Sequence, residues 1–546
     1  MGFGLWRRAR YPRDMPSVPA IFNAPFAHEQ AEKLLKRSRA RRAQLTDEAI
    51  SELLSDTVYQ ERRRYESDRP EPGEAERVER AATAIAHDDR PAMERSLDEL
   101  ITAYTEEIHN RFSLRAYTAA TRVLPQALTR LVTATDPGRL LSGDFDPDRR
   151  IVVQGHIDMV RGLCERGTVI LAPTHLSNLD SPLIGYCLFR AGLPPFAYGA
   201  GLNLFTNPVM AFWMSRLGAY TIDRRKNGLI YKETLKDYSV ELFRGGFHSL
   251  FFPGGTRSRS GMVEKSLKKG LLGTGLQAWQ ENLSDGRPNP DVFVVPMTLS
   301  TSLVLEAETL ISDALAAEGK SRYIINDDEF SDAGTVFSFL RRVLNLDSAI
   351  YATFSQPMDV LGNPVNAQGE SLGPDGGVID RRRFVCGANG QVEWDEQRDR
   401  VYTERLARAL VRAFHRDNVA LPTHLAAMAA WRALKRRHPR LDTWRLVRLG
   451  RDERLVPKAS LMEEITSLRE QVGRLAVAGH IRAALPEDAD ELLQGAISRF
   501  DSYHTRRTIE PQEHEVRIDP ELALYYRNRL VGYGLDGDAI AAEVSA

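Results

Sequence analysis

Residues Thr168–Asp180 read TVILAPTHLSNLD. The first five are apolar or β-branched without polar alternation, and Pro173 follows directly. A short run that is apolar on both faces is the pattern of a strand covered on both sides, so Thr168–Ala172 reads as an interior strand of an α/β layer structure. Ser177 and Asn178 are helix-start residues. Just past the strand end stand His175 and Asp180, with a helical turn of chain between them. Such a pair can act as a general base. The carboxylate fixes the imidazole tautomer and stabilises the imidazolium that forms when the base takes a proton.

The spacing alone does not discriminate. The chain has 12 histidines, the same spacing recurs at His514 and Asp519 in HEVRID, and the phrase PTHL recurs at Pro422–Leu425. The first copy differs in its company. Downstream lie GAYTIDRR (Gly218–Arg225), a strand-like run at Leu250–Pro253 followed by GGTRSRSG (Gly254–Gly261), and VFVVPMTLS (Val292–Ser300). Taken in order, the four blocks resemble the glycerolipid acyltransferase superfamily: a His-x4-Asp block, a G-x-x-x-I-(D/R)-R block, an F-P-E-G-T-R-S-R-x-G block and a V-P block. The copy at His514 has no such partners.

The resemblance implies acyl transfer from a thioester to an alcohol. That reaction needs removal of the hydroxyl proton, a thioester carbonyl held nearby, and stabilisation of a tetrahedral oxyanion. His175 is the expected base and Asp180 its orienting partner. The one G-x-S-x-G string, Gly369–Gly373 around Ser371, lies in a turn-rich stretch rather than in the strand-to-helix turn of a nucleophile elbow, so direct attack by the acceptor hydroxyl is expected rather than an acyl-enzyme. By resemblance the glycine-rich block binds a glycerol-phosphate acceptor, which carries over to Gly255, Thr256, Arg257, Arg259 and Gly261. Guanidiniums pair bidentately with phosphate, and glycines let backbone approach a ligand closely. Arg224 and Arg225 are further candidates for the same phosphate, and Pro296 for a place beside the acyl donor. One departure stands out: where the superfamily pattern has Glu after F-P, this chain has Gly254.

STSLVLEAETL (Ser300–Leu310), YKETLKDYSVELFRGG (Tyr231–Gly246) and LYYRNRL (Leu524–Leu530) resemble segments of the long bacterial glycerol-3-phosphate acyltransferases. The implied reaction is therefore acylation of sn-glycerol 3-phosphate by acyl-CoA or acyl carrier protein, yielding lysophosphatidate for phospholipid synthesis. Lysophosphatidate or dihydroxyacetone phosphate are alternative acceptors, and a non-catalytic lipid- or phosphate-binding relative is a further alternative. No metal or bound cofactor is implied.

Composition narrows the setting. Net charge is −1, so no global basic field points to nucleic acid. Three scattered cysteines suit neither a disulfide scaffold nor a zinc site and point to a reducing compartment. Met1–Arg13 is basic, lacks the apolar core of a secretory leader, and reads as a disordered tail. Ala191–Ser215 carries one charge-free stretch, but Pro194, Pro195 and Pro208 break it, so it cannot be one spanning helix. Its Phe205, Phe212, Trp213 and Met214 either touch lipid, line an acyl groove or pack the core. Peripheral association with the cytoplasmic side of the cell membrane is the expectation.

The expected organisation is an N-terminal helical domain (1–145), an α/β mixed-sheet acyltransferase domain (146–360), a loop-rich linker (361–394) and a C-terminal helical region (395–546). The N-terminal helices are expected to run from Ala27 to about Thr135, interrupted at DRPEPGEAE (Asp68–Glu76). Strands are expected at Thr168–Ala172, Pro195–Tyr198, Ala219–Ile222, Ser249–Phe252, Val292–Met297 and Ile350–Phe354.

Overall fold

The computed structural model describes residues 26–120, 151–202, 208–318, 350–501 and 504–536. The basic N-terminal segment, Phe205, and the expected boundary near residue 145 lie outside the described residues.

An eight-stranded mixed sheet forms the centre. Its strands are β1 (Ile151–Gly155), β2 (Thr168–Pro173), β3 (Ala197–Gly201), β4 (Ala219–Ile222), β5 (Ser249–Leu250), β6 (Val292–Ser300), β7 (Ile350–Phe354) and β8 (Met358–Asp359). The order is β1-β7-β6-β2-β5-β3-β4, with β8 also on β6. β2 to β6 are mutually parallel wherever they pair, and β7 and β8 run antiparallel to β6. β2 and β6 pair from Thr168↔Val292 to Pro173↔Met297, and every residue of both is buried. This is the uninterrupted apolar pattern of strands covered on both faces.

Three strands have bounds that differ by more than one residue from the sequence expectation. β3 starts at Ala197, not Pro195, because prolines cannot donate to a ladder. β5 stops at Leu250, and Phe252 turns away to stack on His175. β6 does not end at Met297 but runs on to Ser300. Pro296 falls between the residues paired with β8 (Phe293, Val294) and those paired with β7 (Met297–Ser300), where its missing N–H breaks no ladder on that side. β1 was not expected from the sequence at all.

Helices cover both faces. Four N-terminal helices, α1 (Phe26–Arg42), α2 (Asp47–Tyr65), α3 (Glu74–Ala86) and α4 (Arg90–Ile108), pack against α8 (Leu229–Arg244), with which they share one core. The helical run expected to continue to about Thr135 has its part beyond residue 120 outside the described residues, and it is interrupted after Ile108. There Asn110 N–H bonds the Tyr238 hydroxyl, and the N–H groups of Arg111 and Ser113 bond the Ser215 and Arg216 carbonyls, so tertiary partners replace helical ones. The opposite face is covered by α5 (Ile157–Arg166) and α6 (Asp180–Arg190). Further along the chain lie α7 (Pro208–Arg216), α9 (Lys269–Ser284) and α10 (Ala307–Glu318).

The C-terminal region is built on α12 (Pro422–Arg437), which follows α11 (Glu396–Asp417). Small residues Ala426, Ala427, Ala429 and Ala430 are fully buried and let α13 (Lys458–Val477), α14 (Ala489–Phe500) and α15 (Pro520–Arg527) pack closely on α12. The region is not purely helical: Leu455–Pro457, Ile509–Pro511 and Glu515–Ile518 form a small antiparallel sheet. Its core includes Leu176 and Leu303–Leu305, the neighbours of the strand ends of β2 and β6.

One buried ion cluster ties the N-terminal helices to the sheet. Lys226, 5% exposed, donates to Glu74 (2.8 Å) and Glu107, and Arg64 also reaches Glu74 at 2.9 Å. Burial alone would raise the Glu74 carboxyl, but Lys226 and Arg64 outweigh it and hold it at about 2 against an ordinary 4.5. A depressed folded pKa adds stability that is present above pH 4.5 and lost as pH falls toward 2. Lys226→Met leaves the half-buried Glu107 without this cation and Glu74 with Arg64 alone. It is expected to cost about 3 kcal/mol, read as an earlier denaturant midpoint at neutral pH, with the gap to wild type closing in acid.

Candidate active site

Because β2, β4, β5 and β6 are parallel, their carboxyl ends emerge at one edge of the sheet, where open α/β sheets place their ligands. His175 follows β2, Asp223–Arg225 follow β4, Phe251–Arg257 follow β5, and Glu306 follows β6. Segments far apart in sequence are thereby gathered by topology.

Asp180 is the first residue of α6 and is buried. Its Oδ2 lies 2.9 Å from His175 Nδ1 and also accepts the N–H groups of Leu176 (2.6 Å) and Ser177 (2.9 Å). A carboxylate oxygen only accepts, so Nδ1 carries the proton and Nε2 is left as the basic nitrogen. The imidazole, 8% exposed, stacks on Phe252 with centroids 3.9 Å apart and planes at 18°. The His175 backbone is fixed from both sides. Its N–H donates to Glu264 Oε1 at 2.8 Å, and its carbonyl accepts the Ser258 N–H at 2.8 Å.

Glu306 joins the histidine loop to the arginine turn. It is fully buried, accepts from Ser177 Oγ (2.8 Å) and Asn178 N–H (3.0 Å), and takes Arg257 Nη1 at 3.1 Å. Arg257 is thus aimed by the strand end of β6 while its base, the turn, is bonded to His175. Gly255 and Gly261 have φ of +78° and +79°, open to glycine at little cost. Thr256 and Arg259 are exposed, and Arg259 makes no hydrogen bond or ion pair among the described residues. A Cβ on Gly261 would come within 2.4 Å of the Tyr525 carbonyl oxygen. Gly261→Ala is therefore expected to cost at least about 2 kcal/mol and to lower the melting temperature, combining left-handed strain with a backbone clash.

The two arginines after β4 diverge. Arg225 donates through Nε and Nη2 to both oxygens of Asp223 (2.9 Å each) and lies 3.4 Å from Asp68. It faces the N-terminal helices. Arg224 makes no hydrogen bond or ion pair among the described residues and sits in the field of Arg257. Partial burial and that like charge together push its guanidinium down from the usual range. Pro296 is buried within the sheet rather than at the site's surface.

Residues 150–300 match the family model described as Acyltransferase. The matched stretch is an acyltransferase domain. A curated glycerol-3-phosphate acyltransferase of Actinobacillus pleuropneumoniae is 32% identical over 208 residues, covering 37% of this chain and 23% of that protein. One from Histophilus somni is 31% identical over 219 residues, covering 40% and 23%. One from Pseudomonas putida is 30% identical over 208 residues, covering 38% and 23%. The matched stretch therefore spans under a quarter of these relatives. A solved 1-acyl-sn-glycerophosphate acyltransferase from Thermotoga maritima overlaps 48% of this chain and 70% of that one at 16% identity, with a TM-score of 0.24.

The other histidine phrases lie in the C-terminal region. His424, in the second PTHL, is buried at the start of α12, where Nε2 meets the Thr301 carbonyl at 3.1 Å, and burial pushes it down to about 3. His514 is exposed on the small C-terminal sheet, and Asp519 caps α15. Sequence reasoning missed Glu264 and Glu306. Glu306 lay in a segment singled out for resemblance, without a role; Glu264 carried no signal beyond its charge.

Proposed function

We propose that the acyltransferase transfers a fatty acyl group from an acyl-CoA or acyl carrier protein thioester to the 1-hydroxyl of sn-glycerol 3-phosphate. The observation that carries this reading is Arg224, after β4, in the field of Arg257, after β5: of the two, only Arg257 is paired with a carboxylate among the described residues, Glu306, which also holds the histidine loop. Like charges brought together repel unless an anion lies between them, and a phosphate dianion fits two guanidiniums. His175 Nε2 takes the proton of the acceptor hydroxyl as its oxygen attacks the thioester carbonyl. The tetrahedral oxyanion collapses and expels the thiolate, which takes the proton back from the imidazolium, while Asp180 holds the ring throughout.

Labelled palmitoyl-CoA, and then labelled palmitoyl-acyl carrier protein, offered separately with glycerol 3-phosphate, lysophosphatidate and dihydroxyacetone phosphate, tests the proposal. Label in lysophosphatidate supports it. Label only in phosphatidate assigns the second acylation step, and label only with dihydroxyacetone phosphate assigns that acceptor. No transfer to any acceptor from either acyl-CoA or acyl carrier protein overturns it in favour of a binding protein.

Peripheral contact with the cytoplasmic membrane surface is part of the same proposal, since donor and product are amphiphiles. Among the described residues no helix is long and apolar enough to cross a membrane. On α7, Phe212 and Trp213 are 48% and 39% exposed, while Met214 is buried in the core. Arg216 lies over the Phe212 ring at 3.8 Å, a pairing suited to an interface with anionic headgroups. The Phe212→Ser/Trp213→Ser variant is expected to weaken binding to vesicles containing phosphatidylglycerol by about tenfold in a flotation assay.

A further inference from the structure

Three of the four contacts that place His175 come from the sequence blocks: Asp180, Phe252 and Ser258. The fourth, Glu264, belongs to none of them. Its carboxylate offers Oε1 to the His175 N–H, while Oε2 is shut off from solvent with no hydrogen-bond partner among the described residues. Burial raises the Glu264 carboxyl, opposed by the His175 N–H and by the charge of Arg529. Arg529 is itself buried and anchored to the Leu299 carbonyl (3.1 Å) and Asn418 Oδ1 (2.9 Å). A buried carboxylate is costly unless what it holds offsets the cost, and here it holds the backbone of the base.

The neighbouring turn explains how Glu264 comes to be there. Gly255 and Gly261 have left-handed φ, but Gly254 does not, so backbone conformation does not require glycine at 254. A Cβ at 254 would meet Glu264 Cγ at 3.3 Å, the Thr256 carbonyl oxygen at 3.6 Å and Glu264 Oε1 at 3.7 Å, so two of its three nearest atoms belong to Glu264. The room beside Gly254 is the room that the Glu264 side chain fills.

We propose that Glu264 is a positioning residue for His175, and that it supplies from position 264 the carboxylate that the acyltransferase pattern places at 254, Gly254 being the complementary half of the exchange. The proposal rests on the acyl-transfer reading. It makes Gly254 a relocation of a carboxylate rather than the loss of one. It also ties the C-terminal segment to the base: Arg529 faces Glu264, Asn528 Nδ2 donates to the Ser260 carbonyl at 2.8 Å, and the Tyr526 hydroxyl accepts the Val304 N–H at 3.3 Å.

The test is a cycle of four chains: wild type, Glu264→Ala, Gly254→Glu, and the double variant, with Glu264→Gln as control. Steady-state acylation of glycerol 3-phosphate and thermal midpoints are measured for each. Glu264→Ala is expected to lose about 100-fold in kcat with KM for glycerol 3-phosphate little changed, because the base is misplaced and the phosphate site is not. Glu264→Gln keeps an oxygen for the His175 N–H and is expected to recover most of that loss. Gly254→Glu alone crowds two carboxylates into one space and is expected to lose both activity and thermal stability. The double variant is expected to exceed Glu264→Ala in kcat by at least about tenfold and to melt above Gly254→Glu. A double variant no better than the worse single, or a Glu264→Ala with near wild-type kcat, overturns the proposal. If wild type itself transfers no acyl group, the reaction assignment fails and the melting points decide: a double variant melting above Gly254→Glu upholds the shared space, and one melting no higher overturns it.

Discussion

His175→Ala is expected to lower kcat for acyl transfer by about 1,000-fold while leaving KM for both substrates within a small factor, since general-base catalysis contributes about 100- to 10,000-fold. The ring does one chemical task through Nε2, and its removal leaves the acceptor's phosphate contacts and the sheet intact. Asp180→Asn is expected to lose less, about 100-fold, but also to lower thermal stability. Asp180 Oδ2 accepts from the ring and from two backbone N–H groups at the start of α6, so asparagine must satisfy three donors with a neutral oxygen or turn its amide toward them. The two variants thus separate proton transfer from loop architecture. Steady-state kinetics with palmitoyl-CoA and glycerol 3-phosphate, beside a thermal melt, checks both. A His175→Ala chain with wild-type kcat would remove the base from the mechanism.

How far the site can be read from the chain depends on whether its cause is local. β2 and β6 are legible because strands covered on both faces need uninterrupted apolar runs. The His175–Asp180 pair is legible because a strand end and a helix start bring residues of that spacing together. β1 is hidden because IVVQG ends in a polar residue and a glycine that lies against Phe354, and nothing local marks it as a strand. The stop of α4 at Ile108 is hidden for a related reason: the bonds that pull Asn110, Arg111 and Ser113 out of helix come from α7 and α8, elements far along the chain. Glu264 and Glu306 are ordinary acidic residues in sequence and become site residues only when the sheet folds loops over His175 and Arg257. Gly254 is the instructive case. Its departure from the pattern is visible in the chain, but its explanation is a side chain ten positions away in the same small volume.

Arg224 and Arg225 are equal candidates in sequence and unequal in space, which gives the second large effect. Arg225 spends its guanidinium on Asp223, with Asp68 also in reach, so its replacement by alanine should leave KM for glycerol 3-phosphate within about twofold. The buried Asp223 then loses a partner, and the cost falls on thermal stability instead. Arg224 has no such carboxylate and stands in the field of Arg257. Arg224→Ala should raise KM for glycerol 3-phosphate about 10- to 100-fold, since a charge-assisted hydrogen bond contributes about 1.5–3 kcal/mol and 1.4 kcal/mol is tenfold. KM for the thioester donor should stay unchanged. Arg257→Ala should combine that loss with a fall in kcat, because Arg257 also neutralises Glu306, whose other bonds hold Ser177 and Asn178 in the histidine loop. Arg257→Lys keeps the charge but not the fork, so it should restore the loop before it restores acceptor affinity. If Arg225→Ala instead raised the acceptor KM and Arg224→Ala did not, the phosphate would lie toward the N-terminal helices rather than over the strand ends of β2 and β5.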